Sequence, residues 1–147
     1  MQNYDDLSSA YSQLRAKYSA YFREDFPYWA LSYPLGWRPR VMRLLEEITR
    51  AVDAEHLETF RITQIKEKFG GLRLYFQLRP ASLPTNDPGD DLGDRTSDAP
   101  SRIIRELIDA ANEDCQRTCE VCGQEGTLKE DRGWWHVRCY PCSRDKA

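Results

Sequence analysis

Three stretches of the chain repeat hydrophobic residues every three or four positions, which places those residues on one face of an α-helix. The first stretch contains Leu7, Tyr11, Leu14, Tyr18 and Phe22. The second begins at Pro39, a residue favoured in a first helical turn, and ends near His56; its face contains Val41, Leu44, Leu45, Ile48 and Val52. The third follows Pro100 and contains Ile104, Leu107, Ile108, Ala111 and Cys115. The pattern predicts two N-terminal helices and a third helix late in the chain.

Between the second and third helices the pattern changes to strict alternation, as in a half-buried β-strand. Hydrophobic side chains occupy every second position from Leu72 to Leu78, and residues 60–65 supply a partner strand. Gly70 and Gly71 are the predicted turn residues, because a tight turn needs residues that accept positive φ. An antiparallel β-hairpin or small sheet is therefore expected here.

The register of this hairpin decides which side chains share its polar face. With Gly70 and Gly71 as the turn, that face holds Lys66, Lys68, Arg73 and Tyr75. A one-residue slip in pairing would place Arg61 and Glu67 there instead, and the sequence leaves both registers open.

The polar face carries a candidate chemistry of its own. Residues 57–80 include five Lys or Arg against two Glu, so Lys66, Lys68 and Arg73 could follow a phosphate backbone while Tyr75 stacks on a base. The alternative, which we favour at this point, is a solvated strand face whose charges prevent edge pairing or are neutralised by a nearby acidic segment.

Two segments are predicted to lack regular structure. Residues 25–39 combine three prolines with several large aromatic residues, and we expect them to pack as an ordered loop. Residues 80–100 hold four prolines, two glycines and five aspartates, a composition that cannot bury a face and favours a flexible acidic loop.

The strongest chemical signal is a pair of C-x-x-C motifs separated by sixteen residues, which supply Cys119, Cys122, Cys139 and Cys142. With two residues between its cysteines, each motif can form a tight turn that brings both sulfurs to one ion. The sixteen residues between the motifs are long enough to form a β-hairpin. Four thiolates would close a tetrahedral shell around one structural Zn²⁺ and would couple metal binding to folding. The chain is thus predicted to divide into an α+β body, residues 1–118, and a zinc-ribbon module, residues 119–147.

Other interpretations of these residues stay open. Two disulfides would require an oxidising compartment. His136 could replace one thiol ligand and leave an open position on a catalytic zinc, although an exposed or supporting place for it fits the predicted strand better. The fifth cysteine, Cys115, lies on the hydrophobic face of the third helix, so we expect it in the core and outside the metal site.

Composition narrows the classes of function. The 21 Lys and Arg against 24 Asp and Glu give a net charge of −3, which produces no whole-molecule attraction to nucleic acid or anionic lipid. The N-terminal residues lack the pattern of a signal peptide, and no run approaches the roughly 18 apolar residues of a membrane span, so a cytoplasmic protein without membrane contact is expected. No catalytic constellation and no small-molecule substrate is evident, because the chain has two histidines, no phosphate-binding glycine loop and no nucleophile-elbow serine.

Two adjacent tryptophans, Trp134 and Trp135, fall on a predicted strand of the ribbon. Neighbouring strand residues point to opposite faces, and so small a ribbon cannot bury both. One of them either docks on the α+β body or anchors a partner, since tryptophan and tyrosine dominate interface hot spots. Trp134, Trp135 and Tyr75 are therefore the candidate protein-binding residues.

Several motifs together resemble a group of small bacterial, phage and prophage proteins that are mostly uncharacterised. They are Gly36-Trp37-Arg38-Pro39, the segment from Gln64 to Tyr75 with its Lys-Glu-Lys-Phe-Gly-Gly-Leu-Arg core, and Cys119-Glu120-Val121-Cys122-Gly123 with Gly133-Trp134 downstream. In that group the second cysteine pair is often C-x-x-H, whereas this chain has Cys139-Tyr140-Pro141-Cys142. The resemblance implies a phage or mobile-element context and supplies no activity.

These features predict an α+β fold with two N-terminal helices, an antiparallel hairpin or small sheet, and a third helix that leads into a C-terminal zinc ribbon. The predicted function is that of a non-enzymatic, zinc-stabilised binding protein that contacts another protein. With a phage-like origin, it would inhibit or modulate a host protein in the host cytoplasm. The alternatives are a nucleic-acid-binding zinc ribbon that uses the basic hairpin face, and a small zinc metalloenzyme.

Overall fold

The computed structural model describes residues 12–14, 16–23, 31–55, 57, 59–78 and 99–144. The helices are α1 (residues 12–14 and 16–18), α2 (Arg38–Ala54), α3 (Ala99–Cys115) and α4 (Tyr140–Arg144). The strands are β1 (Leu31–Ser32), β2 (Arg61–Lys68), β3 (Gly71–Gln77), β4 (Thr127–Asp131) and β5 (Trp134–Arg138). The predicted α+β class is confirmed, while most of the predicted acidic loop, residues 80–98, lies outside the described residues. None of the helices in the described ranges has the length and apolar content needed to cross a membrane.

The first sheet is mixed, with the strand order β1-β2-β3. The predicted antiparallel hairpin is confirmed as β2 and β3, but a purely antiparallel sheet is wrong, because β1 pairs with β2 in parallel through Leu31 opposite Ile65 and Ser32 opposite Lys66. Strand β1 comes from the segment expected to be a loop. Two residues are too few to show a period-two pattern, so no periodicity could have revealed this strand.

The turn of the hairpin lies one residue earlier than predicted. Phe69 and Gly70 have positive φ, 54° and 76°, and Lys68 pairs with Gly71, so Gly71 belongs to β3. This shift moves the pairing by two positions and leaves the faces unchanged, because side chains alternate with a period of two. Lys66 therefore lies opposite Arg73, on the same face as Lys68 and Tyr75.

The core lies between the helices and the other face of this sheet. All five predicted positions of α2 are buried, as are Ile104, Ala111 and Cys115 of α3. An ion pair joins the two helices at one end, where Arg40 Nε of α2 donates to Asp114 of α3 at 2.7 Å. Within α2, Arg40 Nη1 donates to Glu47 at 3.1 Å. The Arg40 guanidinium holds the pKa of the Asp114 carboxyl below its usual value.

Helix α3 also holds the hairpin. The backbone N–H of Leu72 donates to Asn112 Oδ1 at 2.8 Å, which satisfies a strand N–H that β2 does not use. An ideal Cβ at Gly71 would lie 2.8 Å from the same Oδ1 atom, so a side chain there would displace the Asn112 amide from this hydrogen bond. These contacts fix the position of the hairpin tip, which meets the C-terminal part of the chain.

Candidate metal centre

The C-terminal part of the chain is a hairpin whose two ends carry cysteines. Strands β4 and β5 pair antiparallel from Thr127 opposite Arg138 to Asp131 opposite Trp134. The two-residue turn, Arg132 and Gly133, has positive φ at both positions, 55° and 83°, as a tight hairpin turn of the I′ type requires. The antiparallel course brings the residues after β5 back to those before β4, which places the two C-x-x-C motifs side by side.

The four predicted cysteines lie together. The sulfur atoms of Cys119, Cys122, Cys139 and Cys142 all lie within 4.8 Å of one another, and Cys122 Sγ is 3.6 Å from Cys139 Sγ. Over the described part of the chain, this is the group of His, Cys, Asp and Glu side chains found close enough to hold a metal ion. These thiols are thus positioned to hold one ion.

The first C-x-x-C motif folds into a tight knuckle through its own backbone. Gly123 has φ of 80°, a conformation that glycine adopts without strain, and its N–H donates to the carbonyl of Cys119 at 3.0 Å. The N–H of Glu120 donates to Val137 O on β5 at 2.8 Å, and Arg138 Nε donates to the Glu120 carboxylate at 2.9 Å. The knuckle is therefore tied to the strand that leads to the second motif.

The thiols differ in how readily they ionise. Burial opposes ionisation of Cys119, but N–H groups of Cys122, Cys139 and Val121 outweigh it and lower the pKa of Cys119 to about 6. The pKa of Cys142 is raised, chiefly because its thiol shares a hydrogen bond with Cys139. A divalent cation would remove the repulsion between neighbouring thiolates, so the cluster favours a bound metal over four free thiolates.

A turn of the body clamps the first knuckle. Gly36 and Trp37, in the 3-10 turn Leu35–Trp37, donate hydrogen bonds to the knuckle and to the residue that precedes it. Gly36 N donates to Glu120 O at 2.9 Å, and the indole Nε1 of the fully buried Trp37 donates to Thr118 O at 2.9 Å. An ideal Cβ at Gly36 would overlap the carbonyl of Cys119 and lie 2.6 Å from the carbonyl carbon of Glu120.

Sequence reasoning missed this clamp as a supporting element of the metal site. The Gly36-Trp37 pair stood out only as part of the resemblance, because a contact between residues more than 80 positions apart leaves no local pattern. The local signal in the sequence is a glycine next to a tryptophan, since glycine can mark a close approach of two backbones.

The tip of the β2–β3 hairpin makes a second contact with the C-terminal hairpin. An ideal Cβ at Gly70 would overlap Leu128 Cδ1 and lie 3.5 Å from Trp135 Cβ. Leu128 pairs with Val137, which is fully buried, so this face of the C-terminal hairpin packs against the body. Of the two tryptophans, Trp135 is therefore the one beside the body, and it remains 40% exposed.

The other candidate partner residues fall into two places. Trp134, 68% exposed, lies on the opposite face of β5 from Trp135, as alternation predicts. Tyr75 is in the other sheet, about 13 Å along β3 from Gly71 at a rise of roughly 3.3 Å per residue, and shares its face with the predicted basic residues. The structure thus brings Tyr75 together with Lys66, Lys68 and Arg73, and does not place it beside Trp134 on one strand pair.

Two further residues have defined places. Cys115 is fully buried in the core, where burial raises the pKa of its thiol to about 12, and it is not part of the cysteine cluster. His136 lies on β5 opposite Lys129; its Nδ1 is buried and has no hydrogen-bond partner among the described residues. His136 is likewise absent from the group that could hold a metal ion.

Comparisons of this chain with family models, curated proteins and solved structures gave no match. The resemblance to small phage and prophage proteins therefore stays a prediction. The function has to be inferred from the cysteine cluster and from the side chains that the fold exposes.

Proposed function

We propose that this chain is a non-catalytic binding protein whose C-terminal hairpin is stabilised by one structural Zn²⁺. The observation that carries the proposal is the convergence of four thiols. Four sulfurs at about 2.3 Å from a tetrahedral zinc ion are separated by about 3.8 Å. The 3.6 Å between Cys122 Sγ and Cys139 Sγ is close to that value, and soft thiolate ligands favour zinc over harder divalent cations.

A structural role fits the closed ligand set and the thin packing of the hairpin. Four thiolates fill a tetrahedral shell and leave no coordination position for substrate or water. Within residues 119–143 only Cys119 and Val137 are buried, so apolar burial alone gives this hairpin little stability. The metal would supply that stability by tying its own binding to folding.

Protein is the partner that this proposal assigns to the C-terminal hairpin. Trp134 exposes 68% of its surface next to a turn, where it contributes little to the core. A large exposed tryptophan on a rigid hairpin has the character of an interface anchor. The predicted role as an inhibitor or modulator of a host protein rests on the phage-like resemblance and is part of the proposal.

Metal analysis of the purified protein tests the zinc centre. We expect one zinc per chain and an X-ray absorption spectrum with four sulfur neighbours. Cys119→Ser should lose zinc, whereas the control Cys115→Ala should keep it because Cys115 lies outside the cluster. Nitrogen or oxygen neighbours of the zinc, or one zinc per chain in Cys119→Ser, would contradict the ligand assignment. Either result would favour the alternative of a zinc metalloenzyme.

The protein partner is tested by capture from a bacterial lysate. A partner retained by the wild-type protein should be lost with Trp134→Ala, while the variant keeps its zinc and its melting temperature. If the capture pattern is the same for both proteins, Trp134 is not the anchor.

A further inference from the structure

We propose that the open face of the β2–β3 hairpin binds single-stranded nucleic acid. This surface, called the hairpin face below, consists of Lys66, Lys68, Arg73 and Tyr75 together with Phe69 at the tip. The inference goes beyond the proposed function, because it concerns another surface and another class of partner. It does not depend on which metal the cysteines hold.

The hairpin face carries positive charge that the described residues leave uncompensated. Lys66 lies directly opposite Arg73, and Lys68 follows on the same face towards the tip. Like charges in directly opposed strand positions are destabilising. No salt bridge joins any of the three to an acidic side chain within the ranges that the structure describes. An anionic chain laid across the strands would relieve this repulsion.

Two aromatic rings accompany these cations. Tyr75 is 36% exposed, and Lys66 Nζ lies 5.5 Å from its ring centroid. Phe69 is 63% exposed, and Lys68 Nζ lies 5.5 Å from its ring centroid. Each ring is thus paired with a cation, which is the combination by which proteins stack a base and hold the adjacent phosphate.

Both the backbone conformation and the exposure of Phe69 are unfavourable for folding. It occupies the first turn position with φ of 54°, where asparagine, aspartate or glycine is favoured, and a bulky residue is strained. It also leaves most of a large apolar side chain in water. Strain and exposure at one residue indicate a functional requirement for its ring.

The chemistry of the surface favours a single strand over a duplex. In a duplex the base faces are covered by stacking, so exposed phenylalanine and tyrosine rings would have nothing to stack on. An acidic peptide would satisfy the cations but would make no use of the rings. The tip also lies near Trp135 of the C-terminal hairpin, because an ideal Cβ at Gly70 would be 3.5 Å from the Trp135 Cβ.

Fluorescence anisotropy with the zinc-loaded full chain tests this inference. The probes are labelled twelve-residue oligo(dT) and oligo(U), a DNA duplex of the same length and a glutamate-rich peptide of similar charge. We expect the single strands to bind more tightly than the duplex and the peptide. Tighter binding of the duplex or the peptide, or no binding at all, would overturn the inference, and zinc content would be unaffected in either case.

The charge contribution is measured by the salt dependence. Replacing Lys66, Lys68 and Arg73 together by glutamine should reduce the slope of log Kd against log salt by about 2, since each phosphate contact on a single strand contributes about 0.7. Lys66→Gln alone should reduce the slope by about 0.7, and Arg50→Gln is its matched control, because Arg50 is an exposed cation on α2 outside the hairpin face. An equal change of slope in both proteins would contradict the assignment.

The aromatic contribution is measured with Phe69→Asn. Asparagine accepts positive φ, so this variant should melt at or above the wild-type temperature while binding oligo(dT) at least about 5-fold more weakly. A purely structural role for Phe69 would instead leave affinity unchanged. Unchanged affinity in this variant would overturn the proposal for the tip.

Discussion

The contact at Gly36 makes a sharp prediction about how the body supports the metal centre. Gly36→Ala adds one methyl group where an ideal Cβ would overlap the carbonyl of Cys119 and lie 2.6 and 2.7 Å from the carbonyl carbon and oxygen of Glu120. All of these neighbours are backbone atoms of the first knuckle, so no side chain can rotate away. The knuckle or the 3-10 turn has to move.

The size of the effect follows from what this movement disturbs. Forcing a methyl group into a packed site costs about 1–3 kcal/mol. The same movement weakens the hydrogen bond from Gly36 N to Glu120 O, worth about 1 kcal/mol. The sum of about 2–4 kcal/mol corresponds to a fall in melting temperature of about 6–12 °C for a chain of this length.

Calorimetry and a competition assay with a chromophoric zinc chelator would measure both consequences. We expect Gly36→Ala to lower the melting temperature and to weaken zinc binding, because the displaced atoms belong to the knuckle. Gly133→Ala is the control: its φ of 83° makes alanine strained, but no atom lies within 4 Å of its ideal Cβ. Gly133→Ala should lower the free energy of unfolding by about 1 kcal/mol and leave zinc affinity unchanged. Wild-type stability and zinc affinity in Gly36→Ala would refute the clamp.

Three further results are expected. Asp114→Asn should lower the free energy of unfolding by about 1 kcal/mol at neutral pH, a modest loss because the carboxyl is part exposed. Because Arg40 lowers the pKa of Asp114 in the folded state, this stability is present above pH about 4 and is lost on acidification. Urea titrations of variant and wild type should therefore converge at low pH. Trp37→Phe leaves Thr118 O without its indole donor and should cost about 1–3 kcal/mol by thermal melting. Chelation of the metal should abolish hydrogen-exchange protection of the β4 and β5 amides, and protection that survives chelation would show that the hairpin folds without it.

The sequence predicts what is periodic or spaced by local chemistry. The buried faces of α2 and α3 follow from the 3.6-residue period of their hydrophobic residues. The polar face of the hairpin was predicted correctly although the turn was not, because the strand pairing shifted by two residues and side chains alternate with a period of two. The convergence of the cysteines follows from two C-x-x-C motifs and a spacer of hairpin length. The strand β1 and the strained Phe69 were not predictable, since each depends on tertiary contacts that override local preference.

The contacts at Gly36 and Gly70 also bear on the predicted division of the chain at residue 119. Separate domains that meet through a small or polar interface are expected to move relative to one another. Here Gly36 of the body approaches the C-terminal hairpin so closely that a Cβ would collide with the knuckle backbone, and a Cβ at Gly70 would displace the Leu128 side chain. A hydrogen bond from Gly36 N to Glu120 O, 2.9 Å long, also joins the two sides. Metal release should therefore loosen the body as well as the hairpin, and the holo protein should unfold in one transition.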